Sequence, residues 1–152
     1  MSSIVNELRG VLLPLQNAVL LLPNLAMAEV VGYRDAESVT NAPEWLNGFI
    51  VWNQKKIPLI AFESLVGDQT AKPGHRARIA LCYNPDEFSD IPLLGLLCKS
   101  IPHLARLDEQ TLRDDKETTD LPDMVLRHVY YDGKDAWIPD LEKLAEASSV
   151  FL

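Results

Sequence analysis

Short apolar runs interrupted by turn-forming residues constrain the fold of this chain more than any other feature. Ten prolines are spread over the 152 residues, and glycine, asparagine and aspartate occupy many of the other gaps between runs. Proline breaks helix interiors, so the pattern argues against a helical bundle or a doubly wound sheet with long crossover helices. Runs this short, at spacings of about 8–12 residues, predict a mainly β barrel or sandwich of about eight to ten strands.

Hairpin turns are the most specific local signals. The chain places turn-forming residues between two apolar runs at Gln16-Asn17, at Asn53 to Lys56 and at Asp132-Gly133. Asp132-Gly133 is the strongest of these, because a type I′ turn requires positive φ at both central residues. The other predicted elements are strands over 77–83 and 93–100, a short helix over 25–30 capped by Asn24 and ended by Gly32, and a final helix that begins at Asp140.

Charge is concentrated in one segment. The chain has a net charge of −8, and residues 108–123 carry seven acidic and two basic side chains, which contribute −5 of it. The acidic balance argues against a general nucleic-acid binder, because such proteins neutralise phosphates with Lys and Arg. We expect residues 108–123 to form a mobile acidic loop, most simply a solvated one.

Motifs for catalysis, cofactors or metals are missing. No phosphate-binding loop, nucleophile elbow or metal-ligand spacing occurs in the chain. Cys82 and Cys98 sit in apolar runs and are predicted to be buried, inert thiols. The three histidines, His75, His103 and His128, are predicted to be surface or strand-end residues. We therefore predict no catalytic residue, no cofactor and no metal.

Targeting signals are also missing. Met1 to Asn6 contains no basic region, and no apolar run approaches the ~18 residues of a membrane-spanning helix. We therefore expect a soluble cytoplasmic protein with reduced thiols and no direct membrane insertion.

An ordered set of motifs resembles the CheW family of chemotaxis coupling proteins. The apolar stretch 28–33 contains a Glu and is followed by Asn-x-Pro-x-x-apolar-x-Gly at 41–48 and by apolar-Pro-apolar-apolar at 57–60. Residues 95–101 resemble the family's Gly-Leu strand, and residues 136–144 resemble its closing strand and helix. In this order the motifs cover most of residues 11–146, which we interpret as a single domain of two lobes.

The resemblance implies both a fold and a role. The fold is two interlocked five-stranded SH3-like β-barrels with a shared core and short helices, including one at the C-terminus. The role is a non-enzymatic adaptor between the cytoplasmic tip of a chemoreceptor and the regulatory domain of a CheA-type histidine kinase. Such a protein would be a monomer in isolation and would join membrane-associated receptor arrays that control chemotaxis or type IV pilus twitching motility.

The resemblance also implies partner-binding positions, and some of them depart from the family pattern. The candidates are Met27, Glu29, Gly48, Trp52, Asn53 and Lys99. The family's turn Arg is replaced by Asn53, and its two strand-end Asp residues are replaced by Ala61 and Lys99. We expect positions 53 and 99 to be close in the fold, as the family's paired pattern of Arg and Asp suggests. For Glu29, Gly48 and Trp52 the alternatives are a solvated Glu, a turn Gly and a Trp that packs over the end of a barrel.

Two other functions remain open from the sequence. One is a small-ligand-binding or enzymatic β-barrel that uses the same fold. The other is a competitor adaptor that binds the kinase or the receptor but not both, which the departures at Asn53 and Lys99 motivate.

Overall fold

The computed structural model describes residues 8–67 and 72–152, which fold mainly as β-structure. The first strands are β1 (Leu8–Pro14), β2 (Val19–Pro23), β3 (Met27–Gly32), β4 (Leu46–Trp52) and β5 (Lys55–Ile60). They are followed by β6 (Arg78–Tyr83), β7 (Leu93–Cys98), β8 (His103–Leu107), β9 (Leu112–Asp114), β10 (Val125–Tyr131) and β11 (Lys134–Pro139). Two 3-10 turns, Asn24–Ala26 and Phe62–Val66, and helix α1 (Leu141–Ser149) complete the described elements.

The two ends of the chain combine in one sheet. A six-stranded sheet has the order β8-β1-β2-β11-β10-β9, and a five-stranded sheet has the order β3-β6-β7-β5-β4. Strand β11 lies parallel to β2, with Trp137 opposite Leu20, so strands from the end of the chain complete the sheet that β1 and β2 begin. The five-stranded sheet is formed entirely by the intervening segment, which interlocks the two lobes.

The largest apolar core lies between the two sheets. Leu13 and Leu20 enter it from the six-stranded sheet, Leu94 and Leu96 enter it from the five-stranded sheet, and Leu144 of α1 covers it. All five side chains are fully buried. Burial of one such side chain contributes about 1.5–3 kcal/mol before entropy is counted, so this core holds the two sheets together.

Strand β7 shows why the sequence forms these layers. All six of its residues are buried, because β7 lies between β6 and β5 and has both faces covered. Leu94 and Leu96 face the shared core, whereas Leu93 and Leu97 face a second core on the other side of the sheet. A continuous apolar run is the sequence pattern of a strand that is buried on both faces.

The predicted hairpins are confirmed. The Leu15 amide donates to the Ala18 carbonyl at 2.9 Å across the first turn. In the second hairpin the turn is only two residues long, and Asn53 and Gln54 have φ of 47° and 65°. In the third, Asp132 and Gly133 have φ of 49° and 81°, as a type I′ turn requires.

The C-terminal helix is also confirmed. The Asp140 carboxylate accepts a hydrogen bond from the Lys143 amide at 3.1 Å, which caps the first turn of α1. Within residues 8–67 and 72–152, no helix has both the length and the apolar character needed to cross a membrane.

The predicted helix over 25–30 is wrong. Asn24–Ala26 forms a single 3-10 turn, and Met27–Gly32 is strand β3, in which Val31 pairs with Ile79 of β6. Isolated helices of about six residues are unstable in water, and β-branched side chains such as Val30 and Val31 favour strands. Pairing with β6 therefore prevails over the local helix signal.

The acidic segment contains structure that the sequence did not predict. Leu112–Asp114 forms strand β9, which pairs antiparallel with β10 and places Arg113 opposite Tyr130. The loop prediction is wrong for these residues, and β9 gives one sheet a sixth strand where five were expected. Mobility of the rest of residues 108–123 stays a prediction.

The turn at Gly133 provides a test of the third hairpin. We expect Gly133→Val to lower the free energy of unfolding by about 1–3 kcal/mol, because a β-branched residue disfavours positive φ. Gly32→Val is the matched control, since a Cβ at Gly32 meets no atom within 4 Å and its φ is not positive. Urea denaturation measures both, and equal stabilities of the two variants would contradict the turn assignment.

Candidate docking surfaces

The six predicted partner-binding residues lie in three separate places. Met27 and Glu29 are on β3, which forms one edge of the five-stranded sheet. Gly48, Trp52 and Asn53 are on β4 and its turn, at the opposite edge of the same sheet. Lys99 follows β7 at the boundary with the other sheet. The six therefore do not form one surface, and each of the three places has one exposed member: Glu29, Asn53 and Lys99.

Strand β3 presents a free edge with an exposed carboxylate. Glu29 is exposed next to a register shift between Met27 and Glu29, and Val30 beside it is 40% exposed. Met27 itself is partly buried, and its Sδ lies 3.9 Å from the buried Sγ of Cys82. An edge strand with unpaired backbone groups is a template for pairing with another chain. Glu29 is thus placed for contact, whereas Met27 anchors the strand beneath it.

Gly48 has a structural requirement of its own. Its φ is 138°, and a Cβ at this position would lie 2.1 Å from the Glu37 carbonyl oxygen. Backbone hydrogen bonds of 2.9 and 3.0 Å join Phe49 and Glu37 at the same place. Any side chain at position 48 would collide with this backbone, so packing within the chain already explains the glycine.

The turn after β4 explains one departure from the family pattern. Asn53 and Gln54 are exposed and both have positive φ, which Asn tolerates better than most residues. Trp52 is partly buried and packs against the second core, beside the turn. A side-chain amide at position 53 therefore suits the hairpin, and it does not provide the fixed charge that Arg would supply.

The expected neighbourhood of Asn53 and Lys99 is wrong. Strands β5 and β7 run parallel, with Leu59 opposite Gly95. Asn53 precedes β5 and Lys99 follows β7, so the two positions lie at opposite ends of the strand pair, roughly 30 Å apart at the strand rise per residue. The joint departure at these positions does not reflect a direct contact.

Two exposed leucines that the sequence did not single out lie where the chain passes from one sheet to the other. Leu25, in the 3-10 turn beside β1, is 91% exposed, and Leu104 of β8 is 72% exposed. Leu104 pairs with Val11, so its side chain is on the sheet face that carries the shared core but extends past it. Leu25 follows β2 and Leu104 is on β8, so the two leucines flank β1 on either side, and we name these two positions the junction surface.

A buried histidine is the other feature that sequence reasoning missed. The prediction of a surface or strand-end residue is wrong for His128, which is 6% exposed. Its Nδ1 lies 2.6 Å from an oxygen of Asp115 and its Nε2 lies 2.8 Å from an oxygen of Asp135. Both ring nitrogens therefore lie within hydrogen-bond distance of a carboxylate. The ring also packs against Trp137 at 4.2 Å between centroids.

The contacts of His128 with Asp115 and Asp135 connect the acidic segment to the six-stranded sheet. Asp115 follows β9, whereas His128 and Asp135 belong to β10 and β11. Hydrogen bonds from the Thr118 side chain and from His128 lower the pKa of Asp115 to about 2. Among the residues that the structure describes, no group of three His, Cys, Asp or Glu side chains is placed to hold a metal ion.

The other titratable candidates match expectation. Cys82 and Cys98 are buried free thiols, as predicted. Burial raises the pKa of Cys82 to about 12 and raises that of Cys98 as well. Neither thiol is therefore present as a nucleophilic thiolate at neutral pH. His75 and His103 are exposed, also as predicted.

Comparison with known proteins identifies the family. The sequence model of the CheW-like domain matches residues 9–149. The chain belongs to the CheW-like domain family. The scaffolding protein TtCheW from Thermoanaerobacter tengcongensis has a similar crystal structure, with a TM-score of 0.72 at 20% sequence identity over 91% of this chain and 92% of that chain. No curated protein matches the chain significantly.

The two sheets of this CheW-like domain are accordingly the two SH3-like barrels of the CheW fold, and the predicted fold class is confirmed. The predicted resemblance to the family is confirmed as well. The β3 edge and the junction surface are the candidate docking surfaces of this CheW-like domain.

The hydrogen bonds that Asp115 accepts from Thr118 and His128 make the free energy of unfolding depend on pH in a defined direction. The Asp115 pKa of about 2 is below its ordinary value of 3.8, so the ionised carboxylate favours the folded state above about pH 4. That contribution is lost as the pH falls from about 4 to about 2.

We therefore expect Asp115→Asn to flatten the decline in stability between about pH 4 and pH 2. Urea denaturation at a series of pH values measures the slope. Asp123→Asn is the control, because Asp123 is an exposed acid of the same segment with no hydrogen bond among those described. If the free energy of unfolding falls equally steeply with pH in wild type and Asp115→Asn, the hydrogen bonds to Asp115 do not stabilise the folded state.

Proposed function

We propose that this CheW-like domain is a non-enzymatic cytoplasmic adaptor that couples chemoreceptors to a CheA-type histidine kinase. It serves an array that controls chemotaxis or type IV pilus twitching motility. The observation that carries the proposal is the presence of two candidate docking surfaces, the β3 edge and the junction surface, on one body with a shared core. A scaffold needs separate contacts for its partners, and it needs no reactive group.

The β3 edge suits the kinase regulatory domain. An exposed Glu29 on an edge strand offers backbone hydrogen bonds and one charge to a partner strand. The resemblance implies that the kinase regulatory domain has the same fold. The β3 edge of this chain would therefore dock against the edge of a similar barrel in the kinase. A modest contact of this kind gives affinity around micromolar, as in other signalling assemblies.

The junction surface suits the helical tip of a receptor. Leu25 and Leu104 are large, exposed apolar side chains at the boundary between the barrels. Apolar anchors that continue the core into solvent fit the apolar stripe of a helix. The receptor tip therefore docks between the barrels while the kinase occupies the β3 edge.

The kinase contact is tested at Glu29. We expect Glu29→Arg to weaken binding to the isolated kinase regulatory domain by about tenfold, because the variant reverses a charge at the contact. The melting temperature should stay within about two degrees, since Glu29 is exposed. Glu146→Arg, an exposed substitution on α1, is the control. Isothermal titration calorimetry gives the affinities, and unchanged binding by Glu29→Arg would remove the β3 edge from the kinase contact.

The receptor contact is tested separately at Leu104. We expect Leu104→Glu to abolish co-sedimentation with a receptor signalling fragment while kinase binding stays unchanged, because a buried carboxylate opposes apolar docking. Leu126→Glu is the matched control, since Leu126 is 59% exposed on β10. If the wild-type chain binds only one of the two partners, the competitor adaptor replaces the coupling role.

A further inference from the structure

A wide cleft concentrates positive charge in a chain whose net charge is −8. The cleft has a volume of about 920 Å³ and is bordered by the β1–β2 turn, the β10–β11 turn and the chain around residues 72–76 and 99–103. Its cations are Lys72, Arg76, Lys99 and Lys134. Against these four, one carboxylate, Asp132, is among the described residues that line the cleft, so with neutral histidines the formal charge of those residues is +3. We name this the cationic cleft.

The cationic cleft is distinct from the docking surfaces of the proposed function. His103 of the cleft pairs with Leu12, whereas Leu104 of the junction surface pairs with Val11. Neighbouring residues of a strand point to opposite faces, so the cleft and the junction surface lie on opposite faces of the six-stranded sheet. Binding in the cleft therefore does not depend on the kinase or receptor assignment.

The walls of the cationic cleft combine apolar and charged parts. Its apolar lining consists of Leu12, Pro14, Leu15, Ala18 and Val19. The cations and both histidines are exposed. Within residues 8–67 and 72–152, none of the four cations forms an ion pair with a carboxylate. Their charge is thus available to a partner, and their mutual repulsion is relieved when carboxylates arrive.

Two contacts hold the charged segments in place before any partner binds. The Arg78 guanidinium donates to the carbonyls of His75, Arg76 and Ala77 at 3.4, 3.0 and 2.9 Å. The Lys99 amide donates to the Pro14 carbonyl at 2.8 Å, which fixes Lys99 beside the β1–β2 turn. An ordered backbone lowers the entropy lost on binding.

We propose that the cationic cleft is a third docking site, which receives a short acidic, amphipathic segment of a protein partner. Carboxylates of that segment pair with the cations at the rim, and its apolar side chains cover the half-buried Leu12 and Val19. Exposed ion pairs are individually weak, so the apolar contact supplies much of the affinity and the charges supply selectivity.

The surroundings favour a short segment over other anions. A compact phosphate compound is held by convergent donors, whereas these cations are exposed and line an open cleft with an apolar wall. A membrane surface or a nucleic acid extends beyond the cleft and meets the acidic segment 108–123. That segment adjoins the cleft, because the Asp132 amide donates to the Thr111 carbonyl at 2.7 Å. The acidic segment would repel an extended anionic surface, whereas a short peptide segment fits within the cleft and avoids that repulsion.

The test uses a fluorescein-labelled helical peptide of about 16 residues, with Leu along one face and Glu on both flanks. A matched peptide has Gln in place of every Glu. Fluorescence anisotropy is measured with the full chain, with the variant Arg76→Glu/Lys99→Glu, and with the control Lys55→Glu/Lys56→Glu, which reverses two exposed cations at the β4–β5 turn. Circular dichroism and the melting temperature establish that each variant is folded.

We expect the acidic peptide to bind the wild-type chain, and raising the salt from about 50 to about 300 mM should weaken that binding. The Arg76→Glu/Lys99→Glu variant should bind about tenfold more weakly, while the Lys55→Glu/Lys56→Glu control binds within about twofold of wild type. The Gln peptide should also bind about tenfold more weakly. Equal loss in both variants, equal binding of both peptides, or no binding of the acidic peptide would overturn the proposal.

Three further measurements identify any other occupant. Binding of ATP as tightly as the peptide, with the same loss in Arg76→Glu/Lys99→Glu, would assign the cleft to compact phosphates and overturn the proposal. Co-sedimentation with phosphatidylserine vesicles, lost in that variant, would assign it to a membrane surface with the same consequence. A salt-sensitive dimer in sedimentation velocity, absent in that variant, would make a second copy the occupant and would also overturn it. Absence of all three, together with the expected peptide results, supports the acidic segment.

Discussion

Burial of apolar side chains between the two sheets fixes every surface of this chain relative to the others. Leu13 and Leu20 from one sheet meet Leu94 and Leu96 from the other, and α1 covers them with Leu144. Because protein interiors are close-packed, the two barrels cannot slide past each other without opening this core. The β3 edge, the junction surface and the cationic cleft therefore belong to one rigid arrangement, which is what a scaffold requires.

The sequence predicts the strands and turns well wherever local chemistry decides the outcome. Asp132-Gly133 has few conformations other than its tight turn, and the continuous apolar run of β7 indicates a strand covered on both faces. Local signals mislead where a distant partner decides. Asn24 resembles a helix cap, but Val31 gains a neighbour in Ile79, which lies far along the chain.

The sites are less predictable than the fold, for the same reason. His128, Asp115 and Asp135 are separated in sequence, and nothing in their spacing indicates that one imidazole lies between two carboxylates. Likewise, Lys72, Arg76, Lys99 and Lys134 reveal a shared cleft only after the strands are placed. Family resemblance supplies positions such as Glu29 and Gly48, but it does not show that Glu29 is exposed while Gly48 is packed against Glu37.

The insertion of β11 beside β2 has a consequence for synthesis on the ribosome. Hairpin β1–β2 emerges before the other described strands, yet its parallel neighbour β11 emerges more than one hundred residues later. The five-stranded sheet lies wholly within that interval, so it can form while the apolar side chains of the hairpin are still exposed to solvent. Closing so long a loop is slow, and uncovered apolar strands aggregate readily. The nascent chain is therefore most vulnerable after β7 has formed and before β11 has left the exit tunnel.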